Sequence, residues 1–168
     1  MAPTKDERPN VTPRTATPDD SPFPSLAGAL DARLRAEAPD TFAGIVRGPD
    51  GAVEVYATVS DPALVAIVEE VHASTGRRIA VRVVPGMKNS LASLENLFAR
   101  VRVEADEVRQ RGIALVSYGV HIPANRVRLG VEGLTPEIAE SLRREFGPDQ
   151  VEVKEGGRYQ PMSDRDAR

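Results

Sequence analysis

The groups in this chain that could do chemistry are two histidines, a few serines and some paired carboxylates, and there is no cysteine. Without cysteine, thiol catalysis, disulfide bonds and cysteine-type zinc sites are excluded. His72 lies on the apolar side of a predicted helix, which favours a packed histidine over a ligand. His121 ends a predicted strand, 49 residues further on. Two histidines in such different settings give no support to a metal site, so we predict none.

The serines and carboxylates do not form a catalytic pattern. A serine nucleophile needs a tight turn that also provides an oxyanion hole, and the chain has no G-x-S-x-G sequence. The serines stand at predicted cap or surface positions: Ser90, Ser93, Ser117 and Ser141. Glu69-Glu70 and Asp106-Glu107 are adjacent on helices, where neighbouring side chains do not face each other. Phosphate-binding glycine loops are also missing. We therefore predict no enzyme activity, no catalytic residues and no cofactor.

Composition and charge indicate a globular protein that binds neither nucleic acid nor membrane. Of the 168 residues 40% are hydrophobic, and the net charge is −3. The basic clusters are short, with acidic residues nearby and no stacking aromatics: Arg77-Arg78, Arg126 with Arg128, and Arg143-Arg144. No apolar run approaches the about 18 residues of a membrane span. No signal peptide is visible, so we expect a cytoplasmic protein, secreted only if a signal has been removed.

Proline and apolar spacing divide the chain into three parts. Residues 1–24 hold six of the fourteen prolines without apolar periodicity, which predicts a disordered arm. Residues 25–155 carry all the periodic segments and form the predicted folded region. Residues 156–168 are polar, with glycine and proline, and form a predicted flexible tail.

A long helix over residues 90–111 stands at the centre of the folded region. Its apolar positions follow a spacing of 3, 4, 3, 4, 3: Leu91, Leu94, Phe98, Val101, Ala105 and Val108. This spacing places the six side chains on one narrow stripe. We expect the helix to connect the segments on either side of it, with the stripe lying across the sheets of both.

The segments on either side of the long helix repeat one pattern of β-hairpin, helix and strand. Residues 44–72 align without a gap on residues 118–146, at an offset of 74. The aligned pairs include turn prolines, helix-start prolines and a histidine facing a phenylalanine: Pro49 with Pro123, Pro62 with Pro136, and His72 with Phe146. At the last strand of each copy the offset falls to 70, and two pairs of valines align: Val81 with Val151, and Val83 with Val153.

The repeat predicts an α+β fold in which a duplicated β-hairpin–α–β unit occurs at about residues 43–84 and 113–154. Each unit is expected to be a two-layer sandwich of a helix on a small sheet. Alternation over residues 53–59 indicates that one face of that strand, Val59 included, is buried. The pattern leaves open whether the copies share one sheet.

Several short stretches resemble a known family. They are Thr41–Gly44, Val59–Pro62, RRIAVRVVPG at 77–86, Ser90–Glu95 and Pro123–Leu129. In this order they resemble the pro-regions of secreted bacterial chymotrypsin-like serine proteases, of the alpha-lytic protease and streptogrisin type. The resemblance covers about residues 25–155.

The resemblance implies a non-enzymatic domain that aids the folding of a serine protease and inhibits it. In that family two small α/β lobes cradle the protease, a sheet of the pro-region pairs with it, and the C-terminal tail occupies the substrate site. Because no protease follows Arg168, we expect any such activity to be in trans.

Two alternatives stay open from the residues alone. One is a small homodimer or other homo-oligomer, formed through an uncovered sheet edge. The other is a ligand-binding or enzymatic domain, which a deep pocket holding both His72 and a carboxylate would favour.

Overall fold

The computed structural model describes residues 23–76 and 78–157, and these form four helices and two three-stranded sheets. The predicted α+β class is therefore confirmed. The elements are α1 (Phe23–Glu37), β1 (Phe42–Arg47), β2 (Val53–Ala57), α2 (Pro62–Ser74), β3 (Val81–Val84), α3 (Leu91–Gln110), β4 (Ala114–His121), a 3-10 turn (Ile122–Ala124), β5 (Arg126–Glu132), α4 (Pro136–Phe146) and β6 (Val151–Glu155).

Side-chain caps fix the beginnings of α2, α3 and α4 where the sequence predicts them. Asp61 Oδ1 accepts a hydrogen bond from the N–H two residues on, at 2.9 Å. Ser90 Oγ and Thr135 Oγ1 each accept one from the N–H three residues on, at 3.2 and 3.3 Å. Pro62 and Pro136 follow their caps at the first helical position, where proline has no intrahelical bond to lose.

The two sheets are separate and have the same strand order. In each, the first two strands are antiparallel and the third joins the second in parallel, giving β1-β2-β3 and β4-β5-β6. The aligned valines take equivalent places, since Val53 pairs with Val81 and Val127 pairs with Val151. The copies do not share a sheet. That the likeness arose by duplication stays a prediction.

Each sheet is covered by two helices, which divides the buried apolar residues into two cores. α1 and α2 pack on the first sheet, and α3 and α4 pack on the second. Leucines 26, 30 and 34 of α1 lie 71 positions before Leu97, Val101 and Ala105 of α3, and all six are buried. The repeating unit in the structure is therefore helix, hairpin, helix, strand.

The long helix α3 contacts both sheets as predicted, at β1 in the first and at β4 and β5 in the second, although unequally. Leu91, in its first turn, belongs to the first core, and its other buried residues belong to the second. Leu97 is buried, whereas Phe98 of the predicted stripe is half-buried. The ring of Phe98 packs on Tyr118, with centroids 5.9 Å apart. Most of α3 thus packs in the second half, and its first turn joins the first core.

Some predicted boundaries change. α1 begins at Phe23, two residues inside the predicted arm, while residues 1–22 lie outside the described part of the chain. Val59 was expected on a buried face but is 54% exposed, because β2 ends at Ala57. Of the predicted tail, residues 158–168 also lie outside the description. Gly156 is held by its N–H, which donates to the carbonyl oxygen of Val131 at 2.8 Å.

The turn after β4 packs against β1 and joins the two halves. Gly44 of β1 has φ of +130°, and a Cβ there would lie 2.5 Å from Cγ2 of Ile122. Only glycine allows both this backbone conformation and this close approach. The contact packs Ile122 against the first core. None of the described helices is long and apolar enough to cross a membrane.

Candidate functional site: a groove beside strand β3

Strand β3 leaves one edge of the first sheet open. The N–H of Val53 donates to the carbonyl oxygen of Ala80 at 2.8 Å, and this bond sets the phase of the parallel ladder. Successive residues of a strand direct their backbone groups to opposite sides, so Arg82 and Val84 face β2. The N–H and C=O groups of Val81 and Val83 face the open edge, where no described strand pairs with them.

A groove of mixed character runs between this edge strand and α2. Its volume is about 550 Å³, against about 190 Å³ for the cleft between the halves. We call it the α2–β3 groove, and its lining residues are Val65, Val68, Glu69, His72, Val81 and Val83. Four of the six are valines, and the two polar side chains both come from α2.

The corresponding place in the second half is filled. The residue aligned with His72 is Phe146, which is 2% exposed and packs in one core with Val151 and Val153. These two valines are buried, whereas their counterparts in β3 are half-buried. The ring of Phe146 therefore fills the space between α4 and β6, whereas the corresponding space between α2 and β3, beside His72, stays open.

His72 and Glu69 bring an imidazole and a carboxylate to the same groove. Nε2 of His72 lies 2.7 Å from the carbonyl oxygen of Ile79, so the ring is held as expected of a packed histidine. The neutral tautomer that donates this bond keeps Nδ1 as an acceptor. Glu69 is exposed and makes no hydrogen bond or ion pair with any described residue. Glu69 stands three positions before His72, which places both on one side of α2, so the groove holds the histidine and carboxylate that the ligand-binding alternative requires.

Two other charged groups near the groove are paired, whereas Arg78, just before Ile79, is exposed and has no ion pair with a described residue. Glu70 lies 3.3 Å from an Arg33 nitrogen of α1. Arg82, on the opposite face of β3, forms a salt bridge with Asp50, and its hydrogen bond holds the pKa of that carboxyl below its usual range. Glu69 is therefore the carboxylate of this region that is left for an external cation.

The remaining residues singled out from the sequence lie apart from the groove. Nδ1 of His121 accepts a hydrogen bond from the N–H of Ala124 at 3.2 Å and caps the turn that follows β4, in the second half. Ser90 caps α3, and Asp106 pairs with Arg109 at 2.8 Å. Within residues 23–76 and 78–157, no three acidic or histidine side chains could hold one metal ion.

Hydrogen bonds across the cleft between the halves hold the two halves together. Asn89 and Asn125 are buried there and exchange three hydrogen bonds of 2.7 to 3.1 Å. Lys88 donates to Asp149 at 2.9 Å, which lowers the pKa of that carboxyl. Because the polar groups of this cleft are bonded to each other, it offers less to a ligand than the α2–β3 groove does.

Comparisons of the chain with known protein families, with curated proteins and with solved structures found no match.

Proposed function

We propose that this chain is a non-enzymatic protein-interaction domain that binds an extended segment of a partner protein on the open edge of β3. The observation that carries the proposal is the unpaired backbone of Val81 and Val83 beside the α2–β3 groove. In such strand addition, backbone hydrogen bonds provide affinity and the neighbouring groove selects side chains. The partner strand would become the fourth strand of the first sheet.

The other sheet edges are protected in ways that support this choice. β1 has an irregular register between Phe42 and Gly44. β4 has an irregular register between Leu115 and Ser117, which interrupts regular pairing. β6 carries exposed Lys154 and Glu155 at its end. Bulges, charges and covering loops are common means of preventing strand pairing, and β3 has only Arg82 among three valines.

The class of partner follows from the resemblance of the sequence. A secreted chymotrypsin-like serine protease is the partner that a pro-region-like domain would take, with folding assistance or inhibition as the outcome. A sheet edge that accepts a strand is compatible with both effects, since binding lowers the free energy of whichever state presents that strand. A homodimer through β3 is the competing occupant.

Selection of peptides on the purified full chain tests the proposal. A random library of displayed 12-residue peptides is enriched, and affinities are measured for the wild type, Val83→Pro and Val153→Pro. Proline at 83 removes the outward N–H and should weaken binding about tenfold, because one hydrogen bond and close approach are lost. Proline at the aligned position of β6 is the control and should leave affinity unchanged.

Three outcomes would overturn the proposal: no enrichment, equal effects of the two prolines, or a dimer in sedimentation that Val83→Pro converts to a monomer. The last result would assign the edge to a second copy. Circular dichroism checks that both variants fold. Enriched sequences that match segments of chymotrypsin-like proteases would support the protease as partner.

A further inference from the structure

We propose that the segment bound at β3 carries a large apolar side chain that enters the α2–β3 groove beside His72, and a lysine or arginine that pairs with Glu69. This inference rests on the proposed function and adds the chemistry of the partner. It is drawn from the groove walls, from the filled counterpart in the second half and from the charges around the groove.

The geometry of strand addition determines which partner side chains reach the groove. Side chains of a strand alternate between the two faces of a sheet. In a strand added beside β3, every second side chain therefore points to the face that α2 covers. Those side chains lie beside Val81 and Val83, which line the groove and are half-buried. The intervening side chains point to the face that carries Arg82.

The second half indicates what completes this apolar surface. There Phe146 stands at the position of His72 and lies in one core with Val151 and Val153. In the first half His72 takes that place, held by the carbonyl oxygen of Ile79, and the valines of β3 keep part of their surface in water. Burial of apolar surface is the main favourable term in association. An aromatic or large aliphatic side chain from the partner would provide it.

The charges around the groove indicate that the partner segment also carries a lysine or arginine. Arg33 pairs with Glu70 and Arg82 pairs with Asp50, so these charges are compensated within the chain. Glu69 lines the groove and has no ion pair among the described residues. A cation next to the apolar anchor would meet this carboxylate at the groove rim, where it acts on specificity more than on affinity.

Labelled strand peptides with three groove-facing positions test this chemistry. The parent peptide has lysine, phenylalanine and lysine at alternate positions with threonine between them, so its direction of binding does not matter. One variant replaces phenylalanine by alanine, and another replaces both lysines by glutamate. We expect losses of at least tenfold for the first and about fivefold for the second.

Two protein variants and a control locate the effects. Glu69→Lys should reverse the preference between the lysine and glutamate peptides, whereas Glu107→Lys, at an exposed site on α3, should leave it unchanged. His72→Phe supplies the ring that Phe146 supplies in the second half. It should abolish the preference for phenylalanine without lowering the melting temperature, which shows that the variant is folded.

The outcomes separate this inference from the proposed function. If all strand peptides bind equally and Val83→Pro weakens each of them, strand addition stands and the partner chemistry is wrong. The same conclusion follows if selected library peptides bind but the parent peptide does not. If no library peptide and no strand peptide binds, the proposed function itself fails.

Discussion

Asn125 shows how much one residue contributes to the joint between the halves. Its backbone is left-handed, with φ of 52°, a conformation that asparagine tolerates better than most residues. Its side chain accepts from the N–H of Asn89 at 2.8 Å and donates to the carbonyl oxygen of Asn89 at 2.7 Å. The loop that holds Asn89 is also tied to the first sheet, since the N–H of Met87 donates to the carbonyl oxygen of Ala57 at 3.0 Å.

Two substitutions separate the backbone and side-chain contributions of Asn125. Asn125→Gly keeps the left-handed φ but leaves the buried N–H and C=O of Asn89 unpaired, so the free energy of unfolding should fall by about 1–3 kcal/mol. Asn125→Ala should cost about 1 kcal/mol more because of the positive φ. Urea denaturation measures both values. A loss below about 0.5 kcal/mol for the glycine variant would show that the joint contributes little.

At the scale of elements, α3 is the helix that contacts both sheets. Its first turn joins the first core, and the rest of its buried residues pack in the second. The helix also carries an internal control, because Val101 is fully buried and Val103 is 81% exposed.

Aspartate at these two positions measures the contribution of α3 to the second core. Val101→Asp places an unpaired carboxylate in an apolar core and should lower the free energy of unfolding by about 3 kcal/mol or more. Val103→Asp should change it by less than about 0.5 kcal/mol. The measurement is urea denaturation followed by circular dichroism. Similar values for the two variants would contradict the assignment of α3 to the second half.

Local signals predicted the elements, but their packing partners could not be predicted. The caps Asp61 and Thr135, each followed by proline, mark helix starts because their chemistry is local. The alternation over β2 likewise fixes its buried face as far as Ala57. The alignment also placed His72 opposite Phe146, yet its consequence depends on where α2 lies relative to β3. A periodic stripe defines a face and not the element that meets it, so the groove became visible only in three dimensions.

At the scale of the whole molecule, two similar halves differ in how their sheets are completed. In the second half Phe146 fills the space between α4 and β6, whereas in the first half the groove beside Val81, Val83 and His72 is open. The halves are held together by the Asn89–Asn125 hydrogen bonds and by the turn packed on Gly44. Because the halves are held together, little ordering is needed when a partner binds at the edge of β3.

Hydrogen exchange of single amides in the full chain tests the central claim most directly. In the free protein, the amides of Arg82 and Val84, which face β2, should be protected, and those of Val81 and Val83 should exchange rapidly. When a peptide enriched on the chain is bound, Val81 and Val83 should become protected, because their N–H groups then donate to the added strand. Exchange at Val81 and Val83 that stays rapid with the peptide bound would contradict strand addition at β3.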